Sequence, residues 1–191
     1  MGSEINREEL DAGARFIHLG LAGFGILAWL TGYLAGDYKT ARYFWFNLHK
    51  WCGLGLAGFL ACRLGYGVWG PEKARFAQWL PYTKERLLLA WEDLLGLLSL
   101  RLPERQPHQG LSGVVEAFGL AVYSWMAVTG TLMYFLLQPG RKARGLVHAI
   151  KEVHEVGEWL IPAFLAVHVG AVALHALAGN HLWRKTFFLK D

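Results

Sequence analysis

The fold is decided by residues 154–168, which read H-E-V-G-E-W-L-I-P-A-F-L-A-V-H. On a helix, fourteen residues turn through about 1400°, about 40° short of four full turns, so His154 and His168 share one face about 21 Å apart. The apolar run continues to Gly179, which makes it long enough to span a membrane. Ionisable side chains inside such a helix are costly and usually functional, so both histidines are predicted to bind something.

The composition is that of a membrane protein. Of 191 residues, 54% are hydrophobic and only 18% are charged, whereas soluble domains carry about 25% charged residues. Backbone groups in lipid must be hydrogen-bonded internally, so long apolar stretches are predicted to be helices. Four such stretches are long enough to span, at residues 14–35, 47–69, 112–137 and 152–178. We expect an all-α fold, an integral membrane four-helix bundle formed by residues 1–191 as a single domain.

The longest connection, residues 71–111, contains a further predicted helix. Residues 85–101, E-R-L-L-L-A-W-E-D-L-L-G-L-L-S-L-R, are too few to span and are charged at both ends. This pattern favours an interfacial helix lying on the bilayer. Such a helix would cover one end of the bundle, and a docking surface for a soluble partner is the alternative.

Lysines and arginines predict the orientation. With four spans both termini share one side, which we call the inner side, and the opposite side is the outer side. The inner side carries more Lys and Arg, so cytoplasmic termini are predicted. The net charge of +4 is ordinary for such a protein, and we infer no nucleic-acid binding from it.

Histidines lie at matching depths in three of the four stretches. His49 and His154 come early in helices that run inward, so both lie in the outer half. If the first helix begins near Arg7, His18 is about 16 Å along it, and His168 is about 15 Å before the end of the fourth. The predicted pairs are therefore His49 with His154 on the outer side and His18 with His168 on the inner side.

Two histidine pairs at two depths predict haem rather than a bare metal ion. Zinc sites gather three or four protein ligands, and di-iron sites use carboxylates, whereas a haem supplies four nitrogens itself and needs only axial imidazoles. Both axial positions would be filled, so the expected chemistry is electron transfer through two non-covalent bis-histidine b haems. The chain has no C-x-x-C-H motif for covalent attachment. A haem-free transporter or structural membrane protein, with the histidines as a proton relay, is the alternative.

Three further residues lie near these pairs, and each has two possible interpretations. Gly25 and Gly32 share the stripe of His18 and give room either for helix packing or for a flat macrocycle. Arg63 follows His49 by fourteen residues and either pairs with a haem propionate or extends to the interface.

The start of the third stretch is polar. His108, Gln109 and Glu116 form either a solvated helix end or the lining of a site for a quinone headgroup, which needs hydrogen-bond partners and protons. The hydroxyls of Ser124 and Thr129 are predicted to serve packing.

Several motifs carry a family resemblance. They are A-R-F-I-H from residue 14, N-L-H-K-W-C-G from residue 47, R-L-G-Y-G-V-W-G-P-E-K-A-R-F from residue 63, and H-E followed by A-V-H-V-G-A-V-A-L-H from residue 154. The chain resembles the bacterial cytochrome b561 family, which is similar to the b-type cytochrome subunits of nickel–iron hydrogenases and formate dehydrogenases. The resemblance implies an arginine near the inner haem at Arg63 and the following axial ligands: His18, His49, His154 and His168.

The same resemblance extends to quinone. Where the family often has H-N-P-L-G before the third helix, this chain has H-Q-G-L-S from residue 108, so Gln109 stands in for the asparagine that can approach quinone. We therefore expect quinone reduction or quinol oxidation at the inner haem.

The expected function is transmembrane electron transfer in the bacterial inner membrane. Electrons would pass between the quinone pool and a redox partner protein at the outer face, such as a periplasmic-side dehydrogenase, a hydrogenase or a c-type cytochrome. The chain, surrounded by membrane lipid, would be the membrane-anchor cytochrome b subunit of a larger oxidoreductase complex. A stand-alone di-haem quinone oxidoreductase with a small diffusible donor is the alternative.

Overall fold

The computed structural model describes residues 11–36, 43–103, 105, 108–137, 142–180 and 182–188. In these ranges all regular secondary structure is helical, with a 3₁₀ turn at Glu72–Ala74. The α-helices, in chain order, are α1 (Ala12–Ala35), α2 (Tyr43–Trp69), α3 (Phe76–Trp79), α4 (Lys84–Leu98), α5 (Leu111–Leu136), α6 (Gly145–Leu177) and α7 (Leu182–Thr186).

Helices α1, α2, α5 and α6 are long and apolar enough to cross a membrane, so the predicted all-α, four-helix membrane bundle is confirmed. The largest difference from the predicted bounds is at α6, which begins seven residues before residue 152. This extra length contains His148 and Lys151, which interrupt the apolar pattern, so the prediction did not include it. Helix α1 begins at Ala12 within the described ranges, and the possible start near Arg7 lies outside them.

The four long helices form a bundle with one loose edge. Helix α1 packs along α2, α2 against α5, and α5 along α6, whereas α1 and α6 touch at few points. We call this edge the α1–α6 seam. The buried core lies between α2, α5 and α6 and consists of Leu56, Leu60, Val122, Tyr123, Ala127 and Ile161. Most other large apolar side chains point outward, as a lipid-facing surface requires.

A proline in α6 creates one of the few contacts across this seam. Pro162 lies inside α6 and has no N–H, so the carbonyl of Glu158, four residues earlier, loses its helical partner. The indole Nε1–H of Trp29 on α1 donates to that carbonyl oxygen at 3.2 Å. The helix continues through Pro162 because a neighbouring helix satisfies the freed group.

Helix α4 has two different faces. Leu88, Trp91, Leu95 and Leu98 recur at helical spacing and are exposed, as expected of a helix lying on a bilayer. On the opposite face Asp93 is buried, with 5% exposure.

Asp93 joins α4 to the start of α5. One of its carboxylate oxygens accepts the backbone N–H of Leu111 at 2.9 Å, and the other accepts Nε–H of Arg105. Gly110 between them has φ +59°, and a Cβ there would collide with Asp93. The end of the long connection is therefore fixed against α4.

Candidate functional site

The outer histidines face each other across the bundle. His49 of α2 and His154 of α6 have ring centres 6.2 Å apart, with 78° between the ring planes. Nδ1 of His49 lies 2.7 Å from the carbonyl oxygen of Ala28 on α1. A carbonyl oxygen only accepts, so Nδ1 carries the proton and Nε2 keeps a free lone pair.

His154 is held in the same tautomer by a hydroxyl. The Thr129 hydroxyl donates to the carbonyl of Trp125 at 2.8 Å. Its oxygen lies 2.8 Å from Nδ1 of His154. Because the single hydroxyl proton is already used, Nδ1–H of His154 is the donor, and Nε2 is again free. Sequence reasoning assigned Thr129 to packing, because nothing local links it to a residue twenty-five positions away.

A glycine stands beside each outer imidazole. A Cβ at Gly32 would lie 2.9 Å from Nδ1 of His49, and a Cβ at Gly130 would lie 3.1 Å from Cε1 of His154. These glycines give room for the two rings. Gly25, in contrast, gives room to the buried side chain of Tyr123, whose hydroxyl would be 2.4 Å from a Cβ there.

The inner histidines form the second pair. His18 of α1 and His168 of α6 have ring centres 6.2 Å apart, with 45° between the planes. The ring of His168 stacks on Phe164, with centres 5.4 Å apart and planes at 23°. Within the described ranges, no hydrogen bond fixes either ring of this pair.

Charged groups surround the inner pair. The guanidinium of Arg63 lies over the rings of Phe76 and Trp79, at 5.0 and 5.5 Å. Its Nη1 is buried and has no hydrogen-bond partner among the described residues. The ring of Trp79 also lies 6.0 Å from that of His108, so His108 stands at the same end of the bundle as this arginine.

His108 and Glu116 are joined directly. Nδ1 of His108 lies 2.6 Å from a carboxylate oxygen of Glu116. Gln109 is exposed, and its backbone carbonyl accepts the Ser112 hydroxyl. Of the three predicted polar residues, the structure brings two together, and the role of Gln109 in quinone binding stays a prediction.

The remaining histidines stand apart from the two pairs. His148 is exposed, 3.6 Å from Glu152, and borders a 760 Å³ cleft between α1 and α6 at the outer end. Gly32 lines the same cleft, so the outer pair lies next to it. His175 is half-buried near the end of α6, and His181 lies outside the described ranges.

Both pairs fit a metal held between two imidazoles. Two metal–nitrogen bonds of about 2 Å each, together with half of each ring, give about 6 Å between ring centres. Within the described ranges no three His, Cys, Asp or Glu side chains gather into a metal site, so a bare ion would lack ligands. A haem needs only the two imidazoles, and the buried Nη1 of Arg63 suits an anionic propionate. The residues present therefore fit haem.

Comparison with known proteins gives one match. The family model described as prokaryotic cytochrome b561 matches residues 9–188, almost the whole chain. Searches of the curated proteins and of the solved structures found no match.

Proposed function

The chain belongs to the prokaryotic cytochrome b561 family, and we propose that it carries electrons across a membrane through two b haems, one at each histidine pair. Membership in this family supports b-type haem and transmembrane electron transfer as the general function. The number of haems, their ligands and the partners are the proposal.

The observation that carries the proposal is the repetition of one arrangement at two depths. Each pair joins α6 to another helix with ring centres 6.2 Å apart. Along α6, His154 and His168 are about 21 Å apart. Two sites at this separation would connect the two halves of the bilayer.

A bis-histidine haem supplies reversible one-electron chemistry without an open coordination position. The protein positions the imidazoles through Ala28 and Thr129. Hydrogen bonds of this kind fix the ring orientation and raise ligand basicity. At the inner pair, Arg63 would neutralise a propionate.

We place quinone at the inner end. The polar groups that a headgroup needs are present at this end in His108 and Glu116, which contact each other at 2.6 Å. Gln109, at the same end, is a further proposed quinone contact. Small-molecule sites of this kind combine an apolar lining with a few polar groups.

The outer end is proposed to face a redox partner, with the chain acting as the membrane anchor of a larger complex. The excess of Lys and Arg on the inner side supports cytoplasmic termini in a bacterial inner membrane. Purification under mild detergent tests this: a subunit brings a partner protein with it, and a stand-alone oxidoreductase does not.

The decisive experiment measures haem content. The purified wild-type protein should show a reduced b-type spectrum and two haems per chain. His168→Ala should retain only the outer haem. His175→Ala, on the same helix seven residues further on, is the matched control and should retain both.

Two results would contradict the proposal. A wild-type protein that stays colourless after reconstitution with haem would exclude the function. Loss of the outer haem in His168→Ala, or of the inner haem in His175→Ala, would overturn the ligand assignment.

A further inference from the structure

The hydrogen-bonded pair His108–Glu116 lies where the connection meets α5. Glu116 is in the second turn of α5, and His108 lies three residues before the helix. The two side chains approach to 2.6 Å. Neither side chain takes part in haem ligation as proposed above, so the pair needs a separate explanation.

The backbone at His108 is strained. Its φ is +64°, a conformation that is unfavourable for a non-glycine residue and that persists where the surroundings impose it. Here the connection is fixed by Asp93 through Leu111. Gly113 lets the carbonyl of His108 approach, because a Cβ there would lie 2.6 Å from that oxygen. The fold therefore holds this imidazole against Glu116.

The pair lies at the inner end of the bundle, near Arg63. The ring of Trp79 lies 6.0 Å from that of His108 and 5.5 Å from the guanidinium of Arg63. Arg63 follows the proposed outer ligand His49 by fourteen residues, about 21 Å along α2 toward the inner end. The side chains of His108 and Glu116 are 27% and 28% exposed, so both can be reached from outside the bundle.

We propose that His108 and Glu116 form the proton-transfer pair of the quinone site. This inference rests on the proposed function. Reduction of a quinone to a quinol takes two electrons, which a haem held by His18 and His168 would supply one at a time. It also takes two protons, one forming an O–H bond at each carbonyl oxygen. Glu116 delivers each proton, and His108 replaces it from water. In quinol oxidation both O–H bonds break, and the protons leave by the same route.

The side-chain chemistry suits this role. A carboxylate and an imidazole in hydrogen-bond contact exchange protons readily, and a positioned acid or base accelerates a reaction by about 10²–10⁴-fold. Electron transfer alone needs no such group. The pair is therefore expected to affect proton-coupled oxidation of the haems and not oxidation by an electron-only acceptor.

The experiment uses the purified holoprotein with its haems reduced by dithionite. Oxidation is followed after mixing with decylubiquinone, which takes up protons, or with ferricyanide, which takes only electrons. Glu116→Gln keeps the size of the side chain, but its amide cannot act as an acid or a base. His108→Asn suits the positive φ, which asparagine tolerates, and leaves the Glu116 charge in place.

At saturating decylubiquinone, where weaker binding of the headgroup does not limit the rate, both variants should slow oxidation about 100-fold and show a different solvent isotope effect in D₂O. The ferricyanide rate and the haem content should be unchanged. Removing Glu116 takes away a negative charge and removing His108 does not, so a common loss of rate cannot come from a shift in haem potential. Glu85→Gln, an exposed carboxylate on α4, is the matched control and should behave as wild type.

Three other results would contradict the proposed proton-transfer role of His108 and Glu116. Wild-type rates with decylubiquinone in Glu116→Gln would exclude the relay and leave the quinone function intact. Equal slowing with both acceptors would show a structural role only. If ferricyanide but not decylubiquinone oxidises the wild-type haems, the quinone part of the proposed function fails, and the relay fails with it.

Discussion

The outer and inner histidine pairs have the same spacing but different surroundings. Outside, His49 and His154 each donate a hydrogen bond from Nδ1, and each has a glycine beside its ring. Inside, His18 and His168 have no hydrogen bond from the described residues, and the ring of His168 stacks on Phe164. If both pairs bind haem as proposed, the outer ligands would be held more rigidly than the inner ones, and the proposed exchange with quinone and protons belongs to the inner end.

The largest effect is expected at Gly32. In Gly32→Ala, the new Cβ would lie 2.9 Å from Nδ1 of His49, so the ring must leave its hydrogen bond to Ala28. We expect loss of the outer haem with the inner haem retained, measured by haem content and redox titration. Gly23→Ala on the same helix has nothing within 4 Å of its Cβ and should retain both haems. Loss of the inner haem instead of the outer one in Gly32→Ala would contradict this prediction.

A smaller effect is expected at Thr129. Thr129→Val removes the acceptor for Nδ1–H of His154, and losses of this kind weaken metal-site affinity about 10–100-fold. Haem titration should show weaker binding at the outer site alone. Ser124→Ala is the control, because among the described residues the Ser124 hydroxyl bonds to the Leu120 carbonyl of its own helix alone. Equal weakening of both sites would mean that the two pairs are not independent.

Loss of the contact between Trp29 and Glu158 at the α1–α6 seam should weaken haem binding more at the inner site than at the outer site. Trp29→Phe removes the donor to the Glu158 carbonyl, which is exposed, so the loss should cost about 0.5–1.5 kcal/mol. Because His18 and His168 lie on the two helices of the seam, the inner haem should be released first on heating, as followed by its absorption band. In a Pro162→Ala background the helix supplies its own N–H to that carbonyl, and the cost of Trp29→Phe should fall. An undiminished cost would contradict this account.

The smallest effect is expected where α1 begins. Burial alone would raise the pKa of Asp11, but hydrogen bonds from the Tyr66 hydroxyl and from backbone N–H groups hold it below its ordinary value of 3.8. The folded protein therefore favours the ionised form. This stabilisation is present above pH 3.8 and is lost as the pH falls through the lower, folded pKa.

Asp11 is exposed, so solvent screens the effect, and Asp11→Asn should cost about 0.5 kcal/mol or less near neutral pH. Thermal unfolding compared at pH 7 and pH 3 measures it. The difference between variant and wild type should shrink at the lower pH, and a growing difference would contradict the assignment. Haem content at the outer site should not change.

Local patterns in the sequence predicted much of the fold. Apolar length located four helices, and helical rise placed His18 with His168 and His49 with His154, as the structure places them. That these histidines bind haem iron stays a prediction. The rise of a helix is regular, so depths can be calculated without knowing how the helices pack.

What could not be predicted depends on contacts between distant residues. Thr129 meets His154, Trp29 meets the carbonyl that Pro162 leaves free, and Arg63 meets aromatic rings supplied by the connection. Asp93 was taken as part of an amphipathic helix, yet it caps α5 eighteen residues later. A single sequence gives helix positions but not which faces meet, so these partners were not identifiable from it.

The sparse contact between α1 and α6 also bears on biogenesis. In a bundle closed on all sides, a flat macrocycle would have to be present before the helices associate. Because α1 and α6 touch at few points and the core lies between α2, α5 and α6, separating α1 from α6 would leave the core packed, and the apoprotein could insert into the bilayer first. Porphyrin, which partitions into lipid, would then enter sideways through that edge, and assembly would end with the Trp29 indole reaching the Glu158 carbonyl.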